Sequence, residues 1–453
     1  MDLQLVSIAH FEIGGLHGDR NLWMDFNDPV KILVSENGSG KTTILSTMFY
    51  LLSGNWFKLA QRDFTYISVI FTNGEEVRVE RNEIIPDIDG TYPSLAAEIR
   101  SRLSSMDYDR LRINAGRISL DEYTRRYSST IEQLRIPVQV VYDDLLALRN
   151  RNDPKRSAAS LALLEQLDEK SKKIKDLFPY DILYFPTYRR VEEESTNLGY
   201  VAKDSVGDQQ LLQFGMQDVQ TRFDRITSDI RSSSVEWYSK INGKMLTQLI
   251  NGIQDDSIES DRLTSPETLR IVLDRIGDNI TKEDKEHILH LVNTDDIREQ
   301  LYRPLAYFLS NLVQVYDQQR DKDNAIKSFA KTVNDYIGNS KEVRYNESRV
   351  DIQIVNKPSM KDVSLEKLSS GEKQVVSLFS KLYLDGSKPY VILFDEPELS
   401  LSIEWQRKLL PDIVQSGKCA FLLAATHSPF IFENDLDRYA SLVNFKSTDL
   451  ILH

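Results

Sequence analysis

Val34-Ser35-Glu36-Asn37-Gly38-Ser39-Gly40-Lys41-Thr42-Thr43 is a glycine-rich stretch set between a short apolar run and a helical pattern. Val30, Ile32, Leu33 and Val34 ahead of it read as a buried strand, and residues 42–52 repeat apolar side chains at the spacing of an amphipathic helix. Glycines 38 and 40 let backbone N–H groups turn inward around phosphate oxygens. Lys41 then reaches the terminal phosphates, and the Thr42 hydroxyl can ligate magnesium. The helix behind points its positive end at the anion. The first glycine of the G-x-x-x-x-G-K-[ST] pattern is Ser35 here, which makes the turn more strained while leaving the rest of the loop intact. Alone, such a loop can be an ordinary strand-to-helix turn, so distant residues decide.

Size and composition set the frame. A chain of 453 residues can bury more than one core. No apolar run approaches the roughly 18 residues that span a bilayer, and residues 1–11 alternate like a strand, so no membrane contact and a cytoplasmic protein are expected. The single cysteine, Cys419, lies in an apolar run, which excludes a disulfide framework and a thiolate metal site and marks it as a buried packing residue. A net charge of −13 opposes coating of nucleic acid. Locally the balance reverses: between Arg100 and Lys175 there are 16 Lys and Arg against 11 Asp and Glu. That excess reads either as a solvated helical face or as a surface for an acidic partner.

Outward from the loop, residues 3–12 and 22–26 read as strands joined by a turn at Gly14-Gly15-Leu16-His17-Gly18. Residues 66–71 and 76–80 alternate around Asn73-Gly74, a hairpin signal, so an antiparallel layer is expected beside the loop. His10 and His17 read as turn or surface residues. Residues 92–177 become charged and helical, broken at Pro137 and Pro154. A strand is expected over 181–185, followed by Arg189 and Arg190, which can face phosphate, a neighbouring subunit or a surface carboxylate. A second helical stretch opens at Phe214-Gly215-Met216-Gln217 and runs to about residue 337, with an acidic loop over 255–261. The two helical regions are expected to pack as an antiparallel projection. No long coiled coil is expected, because a sustained heptad is missing.

The last hundred residues carry the confirming motifs. Residues 350–355 alternate as a strand. Leu368-Ser369-Ser370-Gly371-Glu372-Lys373-Gln374 precedes a helix predicted over 375–384, and small residues there make an anion-receiving helix start. Val391 to Phe394 is an apolar strand running into Asp395-Glu396-Pro397-Glu398, which places two acids at the carboxyl edge of a sheet. There Asp395 can bind magnesium directly or through water, and Glu396 can orient or deprotonate an attacking water. A further apolar strand over 421–425 ends in Thr426-His427-Ser428-Pro429, where a histidine can contact the terminal phosphate or its water.

Taken in order, the phosphate loop, LSSGEKQ, VILFDEPELSL and ATHSP resemble the ATP-binding cassette ATPases, in the branch of chromosome-maintenance, recombination and overcoming-lysogenization-type ATPases. The likeness covers residues 1–90 and 350–445. It implies an α/β fold: an ATPase head with a mixed sheet and an antiparallel β subdomain, carrying large α-helical insertions. The expected layout is an N-terminal lobe (1–91), a helical insertion (92–180), a return strand and linker (181–220), a second helical region (221–340) and a C-terminal lobe (341–453).

The resemblance implies ATP and Mg2+ as cofactors. Nucleotide would be held by Glu36, Asn37, Gly38, Ser39, Gly40, Lys41, Thr42 and Thr43, with Thr42 and Asp395 toward the metal. Glu396 looks like the catalytic base and His427 like the histidine that senses the terminal phosphate. It also implies homodimers of heads and higher homo-oligomers, with Ser370, Gly371 and Glu372 acting on nucleotide held by the partner. Ser400-Leu401-Ser402 stands where this branch often has His-Leu-His. The glutamine that couples nucleotide to the arm stays open among Gln209, Gln210, Gln213 and Gln217. The segments 185–190 and 214–219 look similar to ATPases of bacterial antiphage systems, PARIS with its Toprim nuclease first and Septu with its HNH nuclease second. The chain ends soon after His427, so the expectation is a separate effector nuclease, with an acidic phage trigger protein meeting Arg125, Arg126, Arg149 and Arg151. The alternative reading is a DNA-repair ATPase that clamps duplex ends.

Overall fold

The structure, a computed structural model, describes residues 7–16, 20–34, 40–84, 99, 103–132, 134, 136–149, 154–186, 215–251, 265–386, 388–443 and 445–447. The loop residues 35–39, His17, Arg189, Arg190, Gln209, Gln210, Gln213, Arg151 and the acidic segment 255–261 lie outside them, as does the side chain of Arg149. Two compact units form, one from residues 1–213 with 388–453 and one from residues 214–387.

The first unit begins with β1 (Ile8–Leu16), β2 (Arg20–Asp25) and β3 (Val30–Val34), followed by α1 (Lys41–Leu52), α2 (Trp56–Ala60), β4 (Tyr66–Phe71), β5 (Glu76–Glu80) and α3 (Arg81–Ile84). β1 continues through the glycines read as a turn. Gly14 pairs with Tyr66, and a Cβ there would stand 2.1 Å from the Tyr66 ring, while Gly15 takes φ 65°. The glycines therefore serve a close cross-strand approach and a bulge. His10 is correspondingly a buried strand residue, 6% exposed, whose Nδ1 lies 2.8 Å from Asp25 Oδ1. β4 and β5 pair as the Asn73-Gly74 turn predicts, with Gly74 at φ 84°.

Four helices follow: α4 (Ser105–Asn114), α5 (Leu120–Glu132), α6 (Val138–Arg149) and α7 (Pro154–Leu177). α4 to α6 close a small core of their own around Tyr123, Tyr127, Ile131 and Val141. The buried Tyr123 hydroxyl donates to the Leu111 carbonyl at 3.1 Å. Arg125 and Arg126 lie on the exposed face of α5. α7 leads into β6 (Asp181–Phe185).

The second unit consists of α8 (Met216–Asn251), α9 (Pro266–Arg275), α10 (Lys282–Asn293), α11 (Arg303–Ile337), β7 (Lys341–Asn346), β8 (Asp351–Asn356) and α12 (Ser370–Leu384). Gln319 of α11 meets Ile230 and Ser234 of α8, and Phe329 meets Phe223, so the two long helices run antiparallel. The antiparallel pair is thus internal to the second helical region, whereas the first region belongs to the other unit. β7, opposite β8, carries only one fully buried side chain, Val343. For that reason its strand period escapes a sequence reading.

A buried polar cluster fixes this unit. Arg275 reaches both oxygens of Asp323 at 2.7 and 2.9 Å, Gln319 at 2.9 Å and the Glu347 carbonyl at 3.0 Å. Tyr345 also donates to Asp323. A buried pair of this kind holds only while each lone pair is satisfied. Tyr345→Phe is therefore expected to cost about 2 kcal/mol, the worth of a hydrogen bond to a charged group. The check is urea unfolding of the full chain retaining Trp237 alone, which reports this unit; an unchanged midpoint would show that Asp323 does not use the phenol.

The chain returns to the first unit with β9 (Tyr390–Asp395), α13 (Ile403–Gln415), β10 (Cys419–Thr426), β11 (Ala440–Leu442) and β12 (Phe445–Ser447). Two sheets result. One is antiparallel in the order β12-β2-β1-β4-β5, and the other runs β11-β3-β10-β9-β6 with every pairing parallel. α1 shares one core with residues of both sheets. Ile44, Leu45, Met48, Phe49, Leu51 and Leu52 are all buried, so α1 is apolar nearly all round where an amphipathic helix was expected. Each such side chain contributes roughly 1.5–3 kcal/mol on burial. Cys419, expected in the core, is half-buried at the start of β10, and burial pushes its thiol pKa up to about 12.

Candidate nucleotide site

Three neighbouring strands bring the sequence-predicted residues of the first unit together. Thr426 of β10 is in register with Val34 of β3, and Ala425 with Asp395 of β9, so all three strands end at one level. The loops that leave this carboxyl edge carry the lysine, the acids and the histidine. Ligands of open α/β sheets bind at such an edge.

Gly40 caps α1 with φ 80° and ψ 12°, a left-handed conformation that glycine adopts at low cost. Its carbonyl accepts from the Ile44 amide at 2.9 Å and starts the helix at Lys41. Lys41 is 5% exposed, with Nζ 3.5 Å from Nδ1 of His427. Desolvation lowers its pKa, opposed by the carboxylates of Asp395, Glu396 and Glu398. Thr42 and Thr43 stand half-buried in the first turn of α1. Glu36, Asn37, Gly38 and Ser39 fall among the residues outside the description.

Asp395 ends β9 at 1% exposure. Glu396 follows with φ 50°, a left-handed backbone that costs a non-glycine residue of order 1–3 kcal/mol. Its amide donates to the Ala425 carbonyl at 2.8 Å, which anchors the strained residue to β10. The Glu396 carboxylate lies 3.9 Å from Nε2 of His427. Burial raises its pKa, and Asp395 and Glu398 add to the rise against His427 and Lys41. His427 thus stands between Lys41 and Glu396.

Mg2+ takes hard oxygen donors in small number, one or two carboxylates or hydroxyls beside phosphate oxygens. The buried Asp395 carboxylate and the Thr42 hydroxyl at the start of α1 fit that donor set. When bound, the ion would neutralise charge on the transferred phosphoryl group.

One acid in this edge escaped the sequence reading. Glu398 accepts from Thr426 Oγ1 at 2.8 Å and from the amides of His427 and Ser428 at 2.8 and 3.2 Å. Its only sequence signal is a third carboxylate two residues past Glu396.

The second unit carries the LSSGEKQ turn. Ser370, Gly371 and Glu372 form the first turn of α12, which starts five residues earlier than periodicity predicts, because Ser369 and Glu372 close a capping box. The Ser369 amide donates to Glu372 Oε2 at 2.7 Å, and Lys341 Nζ lies 2.8 Å from both carboxylate oxygens. Burial alone would raise the Glu372 pKa, yet Lys341 and Ser369 hold it below the ordinary value. Ser369 and Ser370 are exposed, and Ser369 is the cap itself. Exposed hydroxyls over first-turn amides form an anion-accepting helix start. Gln217 lies exposed in the first turn of α8.

A parallel sheet whose first helix opens on Gly40-Lys41, and whose neighbouring strands end at Asp395 and Thr426 just ahead of Glu396 and His427, defines the class as a nucleotide-binding α/β protein. A match to the AAA ATPase domain family (AAA_15) spans residues 8–432, and the chain belongs to that family. No curated protein matches the sequence. Solved structures with low similarity include the Smc head bound to the C-winged helix domain of ScpA, at 11% identity and TM-score 0.33 over 98% of both chains. The Pyrococcus furiosus Smc head with an extended coiled coil, bound to the C-terminal domain of ScpA, has 14% identity and TM-score 0.32 over 98% of this chain and 96% of that one. The Smc head with a coiled coil and joint from Pyrococcus yayanosii has 15% identity and TM-score 0.32, with 98% and 97% covered. Among the described residues, no helix is long and apolar enough to cross a membrane.

Proposed function

We propose that this chain is a Mg2+-dependent, cytoplasmic ATPase whose heads act in pairs as a switch. The observation that carries the reading is the convergence of Lys41, Glu396 and His427 on one sheet edge, with Nζ to Nδ1 at 3.5 Å and Nε2 to the carboxylate at 3.9 Å. In this reading Lys41 binds the terminal phosphates and Glu396 accepts the proton of the attacking water. His427 holds the water or the γ-phosphate between them. Thr42 and Asp395 hold the metal. Ser369, Ser370 and the amide of Gly371 from a partner copy complete the site, while the Glu372 carboxylate serves the cap that shapes them.

Nucleotide closure of such pairs fits an antiphage scaffold of the PARIS kind, which retains a separate Toprim-type nuclease until an acidic phage protein arrives. Exposed Arg125 and Arg126 offer that trigger a basic surface. Higher homo-oligomers follow if each chain offers faces beyond the paired head.

Mixing tests the pairing. Lys41→Ala and Gly371→Asp are each expected to abolish turnover, and their mixture to regain a fraction of it, because one composite site per mixed pair is intact. No recovery would rule out a shared site. Co-expression with the neighbouring gene should copurify a nuclease, with release lost in Arg125→Glu/Arg126→Glu. Turnover stimulated by duplex DNA, with binding that falls steeply with salt, would instead favour the DNA-clamp alternative.

A further inference from the structure

We propose that Glu398 is a positioning residue that locks the loop bearing His427 to the loop bearing Glu396, and so fixes the distance between phosphate sensor and base. The proposal rests on the site reading above and adds a residue to it.

Loop amides beyond the end of a strand have lost their ladder partners and need others. At the end of β10 the partner they share is one carboxylate, with the Thr426 hydroxyl as a second acceptor for the Ser428 amide at 3.0 Å. The carboxylate Oε1 takes the amides of His427 and Ser428 at 2.8 and 3.2 Å, and its Oε2 takes the Thr426 hydroxyl at 2.8 Å. Thr426 is fully buried, so that bond is shielded from water. Hydrogen bonds to an ionised acceptor are roughly twice as strong as neutral ones. Three of them from consecutive residues define where the loop lies as well as how tightly it is held.

Glu398 is itself fixed. It lies between Glu396 at φ 50° and Ser400 at φ 62°, within a turn closed by Leu399 N to Glu396 O and Leu401 N to Glu398 O, both 3.2 Å. Gln406 of α13 then ties the two loops from the other side. Its Nε2 donates to the Leu401 carbonyl at 3.0 Å, and its Oε1 accepts from the Ser428 hydroxyl at 2.6 Å. The polar side-chain approaches of His427 run to Lys41 and Glu396 and not to this brace, which leaves the ring at the sheet edge where nucleotide and water would bind. The carboxylate also faces Lys41 and Glu396 closely enough to contribute to their fields.

The test is a double-mutant cycle on the full chain, reading kcat for Mg-ATP hydrolysis and ATP affinity separately. Glu398→Ala is expected to lower kcat about 100-fold, the effect of an ångström of misplacement, without any loss of ATP affinity, since the carboxylate it removes faces the phosphate-binding lysine. Introduced into His427→Ala, the same change is expected to cost nothing further, because a residue that acts through His427 has nothing left to position. Thr426→Val removes one of the three donors, and an acceptor of the Ser428 amide, without touching the charge. It is expected to lower kcat about tenfold, again only when His427 is present, and it gives the readout should Glu398→Ala fail to fold. Losses that multiply in the double variants, a fall in ATP affinity parallel to kcat, or wild-type turnover in Glu398→Ala would overturn the proposal. Wild-type turnover in His427→Ala is a separate result that removes the site reading itself.

Discussion

Glu396→Gln is expected to bind ATP as the unmodified chain does and to turn it over about 10²–10⁴-fold more slowly, the span attributed to a well-placed general base. The side chain keeps its shape and its 3.9 Å approach to the His427 ring but loses the charge and basicity needed to take a proton from water. The backbone supports the assignment independently. A strained φ of 50° persists only where the surroundings over-determine it, and here the Ala425 carbonyl and the end of β9 do so. Burial and two neighbouring acids raise the proton affinity of the carboxylate, which moves it toward the range useful to a base. Bound ATP that is not hydrolysed should hold heads together. Size-exclusion chromatography with Mg-ATP should therefore show the variant accumulating as pairs or larger assemblies while the unmodified chain returns to its resting state. Turnover within a few-fold of the unmodified chain would remove Glu396 as the base.

What the sequence made legible follows the range of the interaction. The strands β3, β9 and β10 and the hairpin at Asn73-Gly74 could be read because a continuous apolar run or a two-residue turn is written within a few positions. The acids at 395 and 396 and the histidine at 427 were placed at one edge by the same logic, since each follows a buried strand. The burial of α1 on every side was hidden, because helical spacing reports which residues repeat and not how many layers surround them. Arg275 and Asp323 stand 48 positions apart, and neither has a local sign of its partner. The brace at Glu398 was hidden for another reason. Two acids read as site chemistry, and nothing local says that a third, two positions on, faces a hydroxyl and two amides of a loop 28 to 30 residues away.

Lys41→Ala should weaken nucleotide binding at least tenfold to a hundredfold, and the surroundings of the lysine say why. Three carboxylates, Asp395, Glu396 and Glu398, act on its ammonium strongly enough to oppose the pKa fall that burial imposes. With the lysine gone, an incoming triphosphate meets those acids with no buried cation between. The α1 N-terminus then supplies a half-charge at most. Loss of charge-assisted contacts of about 1.5–3 kcal/mol, before the added repulsion, weakens ATP at least tenfold to a hundredfold. Mg-ATP at a hundred times its dissociation constant stabilises a binding-competent fold by about 2.7 kcal/mol. Thermal unfolding with and without Mg-ATP should therefore show a clear upward shift for the unmodified chain and at most about half of it for Lys41→Ala. Lys41→Arg keeps the charge but brings a planar fork to a buried pocket 3.5 Å from His427, so it should regain only part of the shift. A full ATP-induced shift in Lys41→Ala would mean that phosphate is held elsewhere, and the lysine loop would lose its role.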